Sequence, residues 1–372
     1  MRRLILATLF MINTAFADEV VGFSAFENGD YTTAYPHLMQ SARQGNPEAM
    51  YLLGRMYQYA EGVSKNYTEA LNWYQKSADK NNALAQLSLG FLYDLGEGVK
   101  QNYAEAFKWY MKAASQGNAI AQRNVGLMYS TGDGVKANNK IAVQWFKKSA
   151  EQGYVKAQIN LAYAFIMGIG TSKNVNKALY WYQKAAEQGD AKAAYSLGLL
   201  YTGQESGIAA DDRSAFYWFS QAANLGHIRA ANYLAYYYLK GYGIKADPQK
   251  AAYWFQIAAQ GGEADAQAQI GQLLLTGMGV DKDYEQAAFW FTKSAAQEDP
   301  MGQAKLGYMY LAGLGVEQNW ITAYAWLKLA ADNKNKEAIK ELNILKGKLS
   351  DQDLKEAEKL IKKMELPQKQ AE

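Results

Sequence analysis

The sequence predicts an all-α fold: a right-handed α/α solenoid, or superhelix, of stacked antiparallel helix pairs. Three observations predict it. Eight tryptophans (Trp73, Trp109, Trp145, Trp181, Trp218, Trp254, Trp290 and Trp326) stand at six intervals of 36 residues and one of 37. A second phrase recurs upstream at the same period, as Leu53-Gly54, Leu89-Gly90, Val125-Gly126, Leu197-Gly198, Ile270-Gly271 and Leu306-Gly307, with Ala162 and Ala235 replacing glycine in two copies. Self-similarity at such a period is the mark of a repeat architecture. Composition agrees: 28 Tyr and 9 Trp against 5 Pro in 372 residues favour helices packed on helices.

The elements follow in chain order. Arg2 and Arg3, an apolar run from Leu4 to Ile12, and Ala15-Phe16-Ala17 read as a secretory signal peptide over residues 1–17, so the mature chain is expected to begin at Asp18. The apolar run is far short of the ~20 residues a membrane span needs. Residues 18–48 form an N-terminal cap. In it, Asp30 to Gly45 is expected to be a lone second helix of a repeat, with His37 at the tryptophan position. Eight repeats then occupy residues 49–335.

Within each repeat, helix A is exemplified by Ala85 to Leu95. Its Ala85, Leu89, Leu92 and Tyr93 fall at i, i+4, i+7 and i+8 on one face. Gly90 beside that stripe reads as a close-approach point for a neighbouring helix. A Gly-x-Gly turn ends the helix, as in Gly96-Glu97-Gly98 and Gly132-Asp133-Gly134. The N-cap of helix B follows, at Asn66, Asn102, Asn138, Asn174, Asp211, Asp247, Asp283 and Asn319. Asn and Asp suit that place because their oxygens accept unpaired backbone N–H groups. Asp247 precedes Pro248, which suits a first helical position. Helix B repeats the helical stripe as Ala106, Trp109, Tyr110 and Ala113, and a residue such as Gly117 closes the unit. Residues 336–372 are the C-terminal cap. There Ser350 and Asp353 form a capping box for a helix through Lys363, with Leu354, Ala357, Leu360 and Ile361 turned to the last repeat.

The combined phrase Ala-x4-Gly-x2-Tyr, Gly-x-Gly-Val, Asn/Asp-x3-Ala-x2-Trp-Tyr/Phe-x-Lys-Ala-Ala-x-x-Gly resembles the Sel-like repeat family, a relative of the tetratricopeptide repeat. The resemblance covers residues 49 to 335 and implies an adaptor, by analogy with bacterial members acting in the envelope or on host cells. The fold hosts many partners, so it speaks less to function. The fifth copy departs from the pattern with one extra residue between Gly203 and Asp211.

Composition narrows the function. The chain has no cysteine, which excludes disulfides, cysteine metal sites and cysteine nucleophiles. Removing Arg2 and Arg3 from 39 basic residues leaves 37 against 36 acidic ones, a charge near +1, which is no nucleic-acid footprint. The Gly-x-Gly pairs lack the preceding strand and third glycine of a dinucleotide loop. The two histidines, His37 and His227, lie too far apart in a solenoid to share a metal. Glu61, Glu97 and Asp133 fall in successive turns and read as solvated acids. The periodic tryptophans read as core, and Trp320, outside their register, as partly exposed. No enzyme activity, cofactor or metal is expected, and a monomer is.

One face breaks the polar rule. Counting 100° per residue from the repeat alanine, positions turned away from the helix-A core hold Tyr51, Arg55, Phe91, Arg123, Leu127, Ile159, Tyr163, Tyr195, Leu199, Tyr236 and Tyr308. Contiguous exposed apolar surface marks interaction sites, and Tyr and Arg are frequent anchors. The expectation is a concave strip that grips another protein, in the periplasm or towards a host cell. Tighter curvature, packing these residues onto the next repeat, is the alternative for the strip. A cell-wall or β-lactam ligand-binding protein or hydrolase is the alternative for the function.

Overall fold

In the computed structural model, residues 20–203 and 207–365 are described. The expected signal segment, 1–17, and the middle of the long fifth turn lie outside them. The described residues form helices and turns, with no strand among them. In chain order the helices are α1 (20–27), α2 (Tyr31–Arg43), α3 (Pro47–Tyr59), α4 (Tyr67–Asp79), α5 (Ala83–Leu95), α6 (Tyr103–Ser115), α7 (Ala119–Thr131), α8 (Asn139–Glu151), α9 (Val155–Met167) and α10 (Val175–Ala186). They continue as α11 (Ala191–Tyr201), α12 (Asp212–Asn224), α13 (Ile228–Lys240), α14 (Pro248–Gln260), α15 (Ala264–Thr276), α16 (Tyr284–Ala296), α17 (Pro300–Ala312), α18 (Trp320–Asp332), α19 (Lys336–Lys346) and α20 (Asp351–Glu365). The chain divides into two compact units, Met1–Ala185 and Ala186–Glu372. Within each, helices pack on their neighbours in the chain, which is the arrangement of an α/α solenoid.

All eight helix-B caps form. In α4, α6, α8, α12, α14, α16 and α18 the preceding Asn or Asp accepts from backbone N–H groups of the first turn. Asn174 does the same for Lys177 at 2.9 Å. The C-terminal capping box also closes, with Ser350 N donating to Asp353 at 3.0 Å and Asp353 N donating to Ser350 Oγ at 3.2 Å. Ala357 is buried in the last core cluster, where Leu354 and Ile361 pack against it. At the other end the expectation of a lone helix needs correction. Residues 20–27 are also helical and bury Phe26 against Ala34 and Leu38, so the N-terminal cap is a helix pair.

The helix-A glycine and the helix-B aromatic are two halves of one contact. A Cβ at Gly90 would lie closer than 3.0 Å to the Tyr110 ring, and Gly54, Gly126, Gly198 and Gly271 face Tyr74, Phe146, Phe219 and Phe291 in the same way. The close approach is therefore made by a flat ring one residue after the tryptophan, rather than by a crossing helix. This corrects the reading of the tryptophans as core. Tyr74, Tyr110, Phe219, Phe255 and Phe291 are among the most deeply buried side chains, whereas of the periodic tryptophans only Trp109 and Trp290 are buried. The others are half-buried rings. Lys76, Lys112 and Lys148 lay their ammonium groups over the faces of Trp73, Trp109 and Trp145 at 4.3, 3.8 and 4.3 Å.

Two devices lock one repeat to the next. The second glycine of the turn abuts the start of the preceding helix B: a Cβ at Gly170 would strike the Asn139 carbonyl. In addition, a buried glutamine near the start of helix A donates to the end of the preceding helix B, as Gln122 does to the Ala114 carbonyl at 3.2 Å. The amide of the next helix B then reaches back, Gln152 to Gln122 at 2.8 Å and Gln116 to Gln86 at 2.7 Å. The Ala114 carbonyl, which also accepts from the Gly117 N–H at 3.0 Å, is thus tied into a chain of amides that runs from one repeat to the next.

Candidate binding faces

None of the eleven strip residues is buried, and all sit on helix A, but neighbouring side chains, chiefly of the same repeat, engage most of them. In the first unit Tyr51 lies 5.9 Å from the Tyr74 ring, and Arg55 pairs with Glu61 at 2.9 Å while covering Phe26 at 4.9 Å. Glu61 also accepts from the Tyr31 hydroxyl at 3.2 Å, so this turn acid is paired rather than simply solvated. Phe91 meets Tyr110 edge-on at 5.5 Å. Arg123 donates to Asn160 in the next helix A at 3.1 Å. Leu127 packs on the cluster around Phe146. Ile159 is half-buried, and Tyr163 stands 50% exposed.

In the second unit Tyr195 stacks on His227 at 4.4 Å and lies beside Tyr233 at 5.9 Å. Burial pushes the Tyr195 phenol up to about 12. Leu199 packs against the Phe219 and Phe255 cluster. Tyr236 donates to Asp265 at 2.9 Å and meets Phe255 edge-on at 5.0 Å; burial and the Asp265 carboxylate push its phenol well above the usual range. Tyr308, 43% exposed, borders a groove of about 270 Å³ with Leu275, Lys305, Glu337 and Glu341.

The helical wheel therefore merges two populations. Tyr236 is a joint between repeats and Phe91 one within its repeat, while Tyr163 and Tyr308, at one register in separate units, offer open rings. This separates the effects of substitution. Tyr236→Ser removes an aromatic contact and a charge-assisted hydrogen bond, and is expected to cost about 2–3 kcal/mol. Tyr163→Ser should stay within about 0.5 kcal/mol of wild type. Urea melts of the two variants check the order, and equal losses would contradict it.

A second set of rings was not legible as surface. Tyr217, Tyr253 and Phe289, each just before a tryptophan, are exposed on helix B and sit edge-on to that tryptophan at 4.9, 5.2 and 5.1 Å. The first three repeats carry Asn72, Lys108 and Gln144 there. Comparison of position within the repeats would have found this contrast. Trp320, at the first position of α18, is exposed as expected. Among the described residues no three His, Asp or Glu side chains are grouped to hold a metal ion, and no helix is long and apolar enough to cross a membrane. His37 is half-buried in α2 and His227 is the N-cap of α13.

Comparison with known proteins agrees with this geometry. The Sel1 repeat model matches eight consecutive stretches, 47–82, 83–118, 119–154, 155–190, 191–227, 228–263, 264–299 and 300–335. A Sel1 repeat protein from Oxalobacter formigenes is 32% identical, with 87% of this chain and 93% of that one covered at a TM-score of 0.63. A protective antigen present in uropathogenic Escherichia coli strains, which displays an SLR fold, is also 32% identical, with 95% and 84% covered at a TM-score of 0.55. A comparison with curated proteins gives no match.

Proposed function

This chain belongs to the Sel1 repeat family, whose members are generally non-catalytic scaffolds for protein–protein interaction, and from that premise we propose that it is an exported adaptor holding a protein partner on its helix-A faces. The observation that carries the reading is the pair Tyr163 and Tyr308. Their counterparts at the same register, Phe91 and Tyr236, are held edge-on against helix-B rings of their own repeats, yet these two rings stand open. Open aromatic side chains on a rigid helix supply contact area at little cost in ordering. The leader-like residues 1–17 and the likeness to a protective antigen of uropathogenic Escherichia coli support an exported, host-facing role.

The test uses the chain from Asp18 onward as bait against envelope extract and host-cell lysate, beside a Tyr163→Ser/Tyr308→Ser variant. A protein retained by wild type and lost by an equally helical variant supports the adaptor. Equal retention by both refutes the assigned face. Retention of nothing, together with a melting shift from muropeptides or β-lactams, replaces the adaptor by a cell-wall ligand-binding protein. For export, an N-terminus at Asp18 in the periplasmic or secreted fraction is the expected result, and an intact Met1 in the cytoplasm sinks it.

A further inference from the structure

Most helix-A starts have their N-cap slot filled by a side-chain oxygen; Tyr154 before α9 and Glu263 before α15 make no side-chain cap bond, and one start is capped by an imidazole. Asn46, Asn82, Asn118, Asp190, Asp299 and Asn335 cap their helices with a side-chain oxygen. At α13 the slot holds His227, whose Nδ1 accepts from the Ala230 backbone N–H at 3.2 Å. A ring nitrogen can accept only while it carries no proton, so this cap exists only in neutral imidazole, with its proton on Nε2. The same ring stacks on Tyr195, which lies beside Tyr233 of α13.

We propose that His227 is an acid-released latch: protonation turns its cap into a donor facing a donor, frees the first turn of α13, and opens the Tyr195–Tyr233 contact on the helix-A face of the second unit.

The surroundings favour the neutral ring. Burial comes first, and then two cations: Arg229 on α13 itself and Lys192 on α11. Together they hold the imidazole below its ordinary value of 6.5. The positive end of the α13 dipole acts in the same sense. Opposing them are Glu263, at the N-terminus of α15, and the face of Tyr195, which would attract a cation. Arg229 spends part of Glu263's charge, at 3.4 Å. Because the folded value is depressed, stability from the neutral ring is complete above 6.5 and is lost as pH falls towards the folded value. The chain has one other histidine, His37, in the other unit.

The physiological meaning, acid release of a partner, rests on the adaptor reading, but the latch itself does not. Amide-exchange protection and melting of the full chain are followed from pH 8 to pH 5, for wild type and His227→Asn. Asparagine caps four other helices in this slot, so the variant keeps the cap and loses the titration. In wild type, opening of the first turn of α13 should rise by up to about tenfold per pH unit below 6.5, while His227→Asn stays protected. Parallel loss in both chains, or loss in neither, overturns the latch. A ring-proton titration of His227 in wild type is the second measurement, and a midpoint above 6.5 also overturns it. Partner binding enters neither reading, so a failed adaptor leaves this test standing.

Discussion

Phe255→Ala is expected to remove about 3–5 kcal/mol from the second unit, and Trp254→Ala, one residue earlier, roughly half as much. The order runs against residue size and follows from burial. Phe255 is wholly enclosed among Ala235, Ala251 and Leu273, with the Tyr236 ring edge-on to it, whereas one side of Trp254 is open to water. Truncating Phe255 leaves a cavity between helices that their alanine neighbours cannot fill. Denaturant unfolding of the two variants measures the difference, and an equal or greater loss at Trp254 would show that the tryptophan, after all, carries the core.

Gly170→Ala should cost about 2–4 kcal/mol, while Gly168→Ala, in the same turn, should cost about 1 kcal/mol. Both residues have φ of +70°, so both variants meet the same left-handed penalty. They differ in what the new methyl would touch. At Gly168 the nearest atom is the Lys173 nitrogen at 3.5 Å, an ordinary contact. At Gly170 it is the Asn139 carbonyl, which is backbone and cannot rotate aside, so α8 and the turn after α9 must part. Melting of the two variants, with hydrogen exchange at the start of α8, checks this. Similar losses would mean that the turn conformation, and not the seam between repeats, governs stability.

The fold was legible because its determinants are local. Asn or Asp at one register in all eight copies, followed by a period-3.6 stripe, specifies each helix B without reference to anything distant. The core was legible only in part. Tryptophan draws attention by rarity, yet the burial signal lay in a pairing: a small residue on helix A matched by a flat ring one place after the tryptophan. The eighth copy, where Gly307 faces Leu327, shows that the glycine accommodates whatever occupies that place.

The binding face was the least legible part. A helical wheel treats a helix as alone in water. Counted the same way from Ala49, Gln58 also falls outward, but it is buried and its side chain accepts from the Tyr74 hydroxyl at 2.7 Å. The wheel likewise placed Tyr236 with Tyr163, although Asp265 of the next helix A holds Tyr236, while Tyr163 is half exposed. A wheel drawn for one helix cannot separate them. The His227 cap was hidden differently, since it becomes visible only when the helix-A starts are aligned: six are capped by oxygen, two by no side chain, and one by an imidazole.

Packing each helix on its neighbours in the chain has a consequence in time as well as in space. Loop closure is short everywhere, so the entropic barrier to forming any one pair is small, and ordering can begin in any repeat and spread to those beside it. Such a chain need not lose its structure all at once. Opening is cheapest where a helix has only one neighbour, so α1 and α20 would fray first and interior pairs last. A protein assembled this way can surrender its ends to a protease while the middle of each unit stays folded.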